Sequence, residues 1–345
     1  MTFAPKCLPT MVGSLPHHDP RVACERVLQY LSAIPAWPQL PRRSFRENMY
    51  AQFGERFPGL VVDVEREKVW VDRERANEEL EALYLAYLED RVDEWGIGSE
   101  YAAGLHAFLA LKEAVGAAVA VKGQITGPIS MGLQVTDAAL RPVLYDEILA
   151  DALAKHLRLK AAWMERQLRR LHPQVILFVD EPYLSAFGSA FISLSREQVI
   201  ALLTEVFAGI SGLKGIHCCG NTDWSVVLET RPDILNLDAY NYAQSIALYP
   251  EAVHAFLHRG GIIAWGIVPQ EEAAIRSATV EDLLGRLYAA WALLEAKGIS
   301  REELLGGCLI TPSCGLGAVS PQAAERALEL TAAVSNRLRE QYGIE

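Results

Sequence analysis

Short apolar runs alternate with longer helical segments along most of the chain. The runs lack strict alternation of polar and apolar residues and end in Gly, Pro or Asp, which is typical of strands buried in a parallel sheet. Eight strands are predicted, at 10–15, 37–40 or 60–64, 117–123, 175–180, 214–218, 234–238, 261–267 and 308–312. Helices are predicted between them, among others at 144–171, 196–210, 280–297 and 321–340. This alternation of strands and helices indicates an α/β fold.

Polar residues stand at the carboxyl ends of many of the predicted strands. A doubly wound sheet gathers its site residues at one switch point, whereas a barrel gathers them from the ends of many strands. We therefore predict a single (β/α)8 TIM barrel domain over residues 1–345. Residues 41–105 fit the repeat least well, because they are charged and rich in Arg and Glu. Since no Gly-, Ser- or Pro-rich linker flanks them, they are predicted to be an insertion over the barrel mouth, near the amino-terminal part of the chain.

The composition is consistent with a large hydrophobic core and argues against polyanionic partners. Hydrophobic residues make up 51% of the 345 residues and charged residues 22%, which is too apolar for a disordered chain. The 32 basic and 43 acidic residues give a net charge of −11, which argues against nucleic acid or an anionic membrane as a partner. The amino terminus lacks an apolar signal segment and no apolar run approaches the length of a membrane span, so a cytoplasmic protein is expected. A small molecule or another protein is the expected partner.

Six cysteines are too few for a disulfide framework, which leaves packing, metal binding or catalysis as their roles. The most informative pair is His217 and Cys219, which stand two residues apart at a predicted strand end and therefore share one face. Alone, this pair also fits a buried cysteine beside a structural histidine. Two further strand ends add Asp238 and Cys314. These four residues make up a tetrahedral zinc set, or three ligands with one open position.

The charge of this set indicates what a zinc ion would do. Two thiolates and a carboxylate place three negative charges around Zn²⁺, which weakens it as a Lewis acid for activating water. Such a centre is better suited to holding a substrate sulfur as a nucleophilic thiolate. The set therefore favours alkyl transfer to sulfur.

Six segments resemble, in the same order, segments of the carboxyl-terminal catalytic barrel of cobalamin-independent methionine synthase. They are Val12–Pro16, Val121–Pro128, Val179–Pro182, His217–Cys219, Asn236–Asp238 and Pro312–Leu316. The chain is thereby identified as a member of a superfamily that also includes uroporphyrinogen decarboxylase and corrinoid-linked thiol methyltransferases. The resemblance spans residues 10 to 316 and implies one barrel, with zinc as cofactor and homocysteine as methyl acceptor.

The resemblance implies zinc binding by His217, Cys219 and Cys314. The fourth ligand of the family is a glutamate, and this chain has Asp238 there. Aspartate is one methylene shorter, so Asp238 either ligates after a small backbone shift or leaves the fourth position open.

Four further residues are assigned by the same resemblance. Ser14 is expected to contact the amino acid part of homocysteine, although a turn serine is an alternative. Asp180 is expected to bind the substrate amino group, because a carboxylate complements an ammonium. Glu100 is the predicted second carboxylate of this clamp, with a solvated helix-start glutamate as the alternative. Glu181 either belongs to the site or fixes the turn before the following proline.

The chain departs from the family on the side of the methyl donor. No second barrel fits into its length, and residues 129–134 lack the tryptophan on which a folate ring would stack. The Arg-Glu pair of the family is replaced by Leu184–Ala186. These departures favour methylcobalamin, free or on a corrinoid protein, over methyltetrahydrofolate as donor.

Three alternatives stay open from the sequence. The first is a corrinoid-linked methyltransferase acting on another thiol, as in coenzyme M methylation, against which Asp180 and Glu100 argue. The second is a metal-free tetrapyrrole decarboxylase on the same fold, but residues 14–18 offer no arginine to bind propionates. The third is a non-catalytic protein that carries zinc or a corrinoid to a partner.

Overall fold

The computed structural model describes residues 3–189 and 192–344. The strands in this part of the chain are β1 (Leu60–Asp63), β2 (Lys68–Val71), β3 (Val121–Thr126), β4 (Thr136–Asp137), β5 (Val175–Asp180), β6 (Leu213–Cys218), β7 (Ile234–Leu237), β8 (Ile262–Val268) and β9 (Cys308–Pro312).

The described residues also form α-helices, which alternate with these strands along the chain. They are α1 (Pro20–Tyr30), α2 (Met49–Gly54), α3 (Arg73–Leu88), α4 (Ala103–Leu109), α5 (Lys112–Val115), α6 (Pro128–Gln134), α7 (Glu147–Leu168), α8 (Arg196–Phe207), α9 (Trp224–Glu229), α10 (Ala239–Ile246), α11 (Pro250–His258), α12 (Glu272–Ser277), α13 (Val280–Glu295), α14 (Arg301–Gly306) and α15 (Pro321–Tyr342). Short 3₁₀ helices lie at Phe45–Glu47, Val92–Trp95, Val143–Tyr145 and Pro182–Ala186.

The central element is an all-parallel sheet of six strands in the order β3-β5-β6-β7-β8-β9. Five of these strands lie within three residues of predicted ones, and the strand expected at 117–123 begins later, as β3. Every residue of β3, β5, β7, β8 and β9 is buried, which accounts for the largely apolar sequences of β5 and β8. Because consecutive parallel strands need a crossover, helices lie between them, and all six strands direct their carboxyl ends to one edge.

Two segments that are not regular strands lie along the two outer strands of this sheet, β9 and β3. Residues 7–15 run alongside β9, where Thr10 N donates to Ile310 O at 3.0 Å. Residues 34–40 run alongside β3, where Trp37 N donates to Lys122 O at 3.2 Å. The two segments contact each other through a parallel bridge between Ser14 and Gln39.

The predictions for these first two strands therefore need correction. Proline lacks a backbone N–H, so Pro9 in the first segment and Pro35 and Pro38 in the second interrupt a regular ladder. Of the two options for the second strand, 37–40 lies next to β3. The other option, 60–64, contains β1, which belongs to a separate sheet.

This separate sheet has the order β1-β2-β4 and lies mostly within residues 41–105. The same region packs on α7 through a buried histidine, His156. Its Nδ1 accepts a 2.8 Å hydrogen bond from Trp95 Nε1, and its Nε2 donates to Phe53 O at 2.8 Å. Residues 41–105 are thus attached to α7 by specific buried contacts.

Two predicted helix starts are confirmed. Ser195 forms a capping box with Gln198 at the start of α8, and Ser320 caps α15 ahead of Pro321. No helix in the described part of the chain is both long and apolar enough to cross a membrane.

Candidate metal centre and substrate cavity

A cavity of about 240 Å³ lies at the carboxyl edge of the central sheet. It is formed where β5, β6 and β9 end, and residues 12–14 and 39–49 cover it from the other side. The lining residues are Val12, Ser14, Gln39, Pro41, Glu47, Asn48, Met49, Asp180, Pro182, His217, Cys219, Cys314 and Gly315. Its size suits a small substrate rather than the drug-sized ligands that occupy about 300–1,000 Å³.

Three potential metal ligands meet in this cavity. One ligand atom each of His217, Cys219 and Cys314 lies within 4.8 Å of the other two. His217 is the penultimate residue of β6, Cys219 follows that strand, and Cys314 stands two residues beyond the end of β9. The fold therefore brings together residues that are almost a hundred positions apart in the chain.

Asn236 on β7 orients the ring of His217. The amide Nδ2 of Asn236 donates to Ala264 O at 2.7 Å and to Thr311 Oγ1 at 2.8 Å, so its oxygen must face the histidine. Asn236 Oδ1 lies 2.6 Å from His217 Nδ1, which places the ring proton on that nitrogen. The other nitrogen, Nε2, is buried and has no hydrogen-bond partner among the described residues. A neutral imidazole with a free, oriented Nε2 is what a metal-ligating histidine requires.

The two thiols differ in their electrostatics. A hydrogen bond from Cys314 lowers the pKa of Cys219, and His217 lowers it further. The same contact with Cys219, together with burial, raises the pKa of Cys314. Burial alone would lower the pKa of His217, but Cys219 and Asp180 raise it above its usual value. One imidazole and two thiols with a stable thiolate form a donor set that fits Zn²⁺.

Two of the predicted substrate residues line the same cavity. Ser14 lies against the loop after β9, where its hydroxyl accepts from Gly317 N at 3.2 Å and its carbonyl accepts from Leu316 N at 2.9 Å. Asp180 ends β5 and is paired in register with His217 on β6. Burial raises the pKa of Asp180 to about 6, although His217 and Lys122 lower it.

Asp238 and Glu100 do not contribute ligand atoms to the cluster. Asp238 caps α10, and its two carboxylate oxygens accept from the backbone N and side-chain Nδ2 of Asn241 at 2.9 and 2.8 Å. Its carboxylate is not one of the three clustered ligand atoms but lies near them, since burial and the charge of Cys219 raise its pKa while Asn241 and His217 lower it. Glu100 is on the exterior with 71% of its side chain exposed, where it is paired with Arg46. The predicted second carboxylate is thus not part of the cavity lining.

Glu181 binds the amino-terminal end of α6. Its fully buried carboxylate accepts from Ile129 N at 2.9 Å, Ser130 N at 2.7 Å and Ser130 Oγ at 2.5 Å. A Cβ at Gly127 would collide with this carboxylate, which explains the glycine there. The first free N–H groups of α6 are therefore satisfied by the protein itself.

One acidic residue that lines the cavity, Glu47, is not predicted from the sequence. Glu47 is 1% exposed, and its Oε1 accepts from Arg43 Nη1 at 2.9 Å. Burial raises the pKa of Glu47, while Arg43 and the backbone of Ala103 lower it. Glu47 stands in a charged stretch, and nothing in the sequence distinguishes it from its exposed acidic neighbours.

No protein-family model matches the chain, and no curated protein matches it either. Its fold resembles that of a methyltransferase. This solved structure, from Methanosarcina mazei, has a TM-score of 0.60 and 12% sequence identity over 98% of this chain and 95% of that one. At this identity the likeness concerns the fold alone.

Another similar solved structure is a B12-independent methionine synthase from Shewanella sp. W3-18-1 in complex with selenomethionine. Its TM-score is 0.46 at 20% identity, over 64% of this chain. The match spans 63% of the length of the Shewanella protein.

Proposed function

We propose that the protein is a zinc-dependent methyltransferase that moves a methyl group to the sulfur of homocysteine and forms methionine. The observation that carries this proposal is the group of His217, Cys219 and Cys314 in a small cavity at the carboxyl edge of a parallel sheet. We further propose that residues 7–15 and 34–40 complete a single (β/α)8 barrel, with residues 41–105 as an insertion over its mouth.

The residues have distinct roles in this proposal. His217 Nε2 and the thiolates of Cys219 and Cys314 would hold zinc, and Asn236 keeps the imidazole in the tautomer that this requires. A zinc ion held there would keep a substrate sulfur deprotonated at neutral pH. Ser14 and Asp180 position the amino acid part of the substrate, so that its sulfur attacks the methyl carbon in line as the bond from that carbon to the donor breaks.

Asp238 is less suited to the fourth position than the sequence suggests, because both of its oxygens are engaged by Asn241. We propose that the substrate sulfur takes this position. The donor is methylcobalamin, free or on a corrinoid protein as partner, or methyltetrahydrofolate. Homocysteine is favoured over a sulfonate thiol because acidic rather than basic side chains line the cavity.

Metal analysis of the purified protein tests the proposal. The wild type is expected to bind one zinc per chain, and Cys314→Ser to lose most of it. Cys24→Ser is a matched control, since Cys24 is a buried cysteine whose thiol faces Gly104 O on the outside of the sheet. Zinc that is undiminished in Cys314→Ser would refute the assignment.

X-ray absorption tests the role of the substrate sulfur separately. Addition of homocysteine to the zinc-loaded protein should add a Zn–S contact at roughly 2.3 Å. An unchanged sulfur count would remove homocysteine from the metal centre.

A further inference from the structure

The loop that carries Cys314 has few hydrogen bonds to the rest of the protein. It comes after β9 and spans residues 314–319, which belong to no helix or strand. Among the described residues, the hydrogen bonds that join residues 315–318 to another segment reach two positions only, Ser14 and Arg42. The path of this loop therefore depends on those two residues.

Arg42 binds the carbonyl groups of the loop. Its Nε donates to Gly317 O at 3.0 Å, and its Nη2 donates to Ala318 O at 2.5 Å. The planar guanidinium presents its donors in a fixed fork, which suits two acceptors on consecutive residues. One side chain thus fixes two neighbouring peptide units.

Ser14 and Pro41 form the surface against which the loop packs. A Cβ on Gly315 would stand 2.2 Å from Ser14 Oγ, and a Cβ on Gly317 would stand 2.8 Å from Pro41 Cγ. Both distances are shorter than real Cβ contacts, so glycine is needed for this close approach. The N–H groups of Leu316 and Gly317 donate to the carbonyl and the hydroxyl of Ser14. The loop is therefore held on one side by residues from the amino-terminal part of the chain.

The position of the Cys314 thiol depends on both ends of this arrangement. Ser313 N donates to Val268 O at 2.7 Å, and in the described part of the chain this is the last hydrogen bond between the sheet and the loop. Beyond it, the contacts with Ser14 and Arg42 set the direction of the chain. Zinc–thiolate bonds have a defined length and a tetrahedral arrangement, so a displaced sulfur ligates poorly.

We propose that Arg42 is a positioning residue, which holds the loop closed so that Cys314 Sγ stays beside His217 and Cys219. The inference rests on the proposed function, in which Cys314 is a zinc ligand. Arg42 is not part of the cavity lining, so it acts through the loop and not on the substrate. Without Arg42 the loop opens more often and releases Cys314 from the ion. Because Arg42 is exposed, the folded core is unaffected by its loss.

The rate of zinc dissociation tests this role. Zinc-loaded protein is mixed with an excess of a chromogenic chelator, and transfer of the ion is followed over time. Arg42→Ala should release zinc about tenfold faster than the wild type, and Arg42→Lys, which keeps one donor, should give an intermediate rate. Arg46→Ala is the matched control, because Arg46 lies four residues further along and pairs with Glu100 instead of the loop. It should release zinc at the wild-type rate.

Hydrogen exchange of backbone amides tests the same contact in the metal-free protein. The amides of Leu316 and Gly317 become accessible when the loop opens, so Arg42→Ala should increase their exchange rates about tenfold. The amide of Ile263, which donates to Gly307 O at 2.7 Å within the sheet, should exchange as in the wild type.

Equal zinc release from Arg42→Ala and Arg46→Ala would overturn the inference, and so would unchanged exchange at Leu316 and Gly317. If Arg42→Ala does not fold, Arg42→Lys provides both comparisons. The exchange experiment separates this inference from the proposed function. Should the wild type bind no zinc, faster exchange in Arg42→Ala would still support the hold of Arg42 on the loop, whereas the metal assignment would fail.

Discussion

Nδ1 of His217 donates a hydrogen bond to Oδ1 of Asn236, with 2.6 Å between the two atoms. Asn236 cannot turn its amide around, because Nδ2 is already bonded to Ala264 O and Thr311 Oγ1. This contact therefore fixes both the rotation of the imidazole and its tautomer. Groups that hold a metal-ligating histidine in this way contribute strongly to metal affinity.

Asn236→Ala should weaken zinc binding without removing a ligand. The loss is expected to be about tenfold to a hundredfold in affinity, because His217 loses the acceptor that orients it. Competition with a chromogenic chelator measures the affinity. Asn336→Ala, an exposed asparagine on α15, is the control. Equal affinity in Asn236→Ala and the wild type would show that the hydrogen bond has no part in metal binding.

Asp238→Ala should keep its zinc and lose stability. Its carboxylate caps α10, so removing it is expected to cost about 1 kcal/mol of the free energy of unfolding. Urea unfolding and metal analysis of the same sample check both parts. A zinc content that falls as far as in Cys314→Ser would instead make Asp238 a ligand.

Glu181→Gln should destabilise the protein while its zinc content stays constant. The amide replaces one acceptor by a donor that faces the N–H groups of Ile129 and Ser130, which is expected to cost about 1–3 kcal/mol. Urea unfolding at pH 7 measures the loss, with the exposed Glu113→Gln as control. Unfolding free energies that are equal for Glu181→Gln and the control would contradict the structural role.

The stability of the protein should decrease in mild acid because of His156. Its two ring nitrogens are both used in the neutral form, since Nδ1 accepts from Trp95 and Nε2 donates to Phe53 O. Burial and the charge of Lys160 lower its pKa well below the usual value. The unfolded chain takes up the proton near pH 6.5 and the folded chain does not, so the contribution is fully present above that pH.

Urea unfolding between pH 8 and pH 5 tests this pH dependence. Below about pH 6.5 the free energy of unfolding should fall, by up to about 1.4 kcal/mol per pH unit for this one proton. His156→Gln keeps a donor and an acceptor but does not titrate, so it should lose that part of the slope. The exposed His18→Gln should follow the wild type. A slope that is the same in all three proteins would exclude His156 as the cause.

The strand pattern was predictable where burial dominates. Apolar residues that fill both faces of β5 and β8 leave little choice of structure, and the predicted bounds agree with the observed ones. The first two strands were harder, because Pro9, Pro35 and Pro38 remove ladder donors while the apolar character stays. Their position depends on contacts with β9 and β3 that no local pattern contains.

The candidate site likewise contains a part that the sequence predicts and a part that it does not. His217, Cys219 and Cys314 follow strand ends, and parallel strands bring their carboxyl ends to one edge, so their meeting could be expected from the sequence. The positions of the carboxylates could not be expected from the sequence. The Asp238 carboxylate accepts a hydrogen bond from Asn241, and Glu100 forms an ion pair with Arg46. The first contact is a local helix cap and the second a long-range ion pair, and each engages a carboxylate that the sequence assigned to the site.

We expect methylcobalamin, as methyl donor, to support faster methionine formation than methyltetrahydrofolate. Helix α6 follows the Thr-Gly-Pro turn but offers no tryptophan for a folate ring, and Glu181 already occupies the N–H groups of Ile129 and Ser130. Backbone donors that could otherwise contact the polar edge of a pterin are therefore engaged.

A side-by-side assay with homocysteine and each donor measures the ratio of rates at equal concentrations. Cys314→Ser is included with both donors, because product formed by that variant would not depend on the proposed metal site. We expect its rate to fall with either donor. Faster turnover of the wild type with the folate would reverse the order and require a ring-binding surface outside α6, since the segment that follows the turn has no aromatic side chain to provide one.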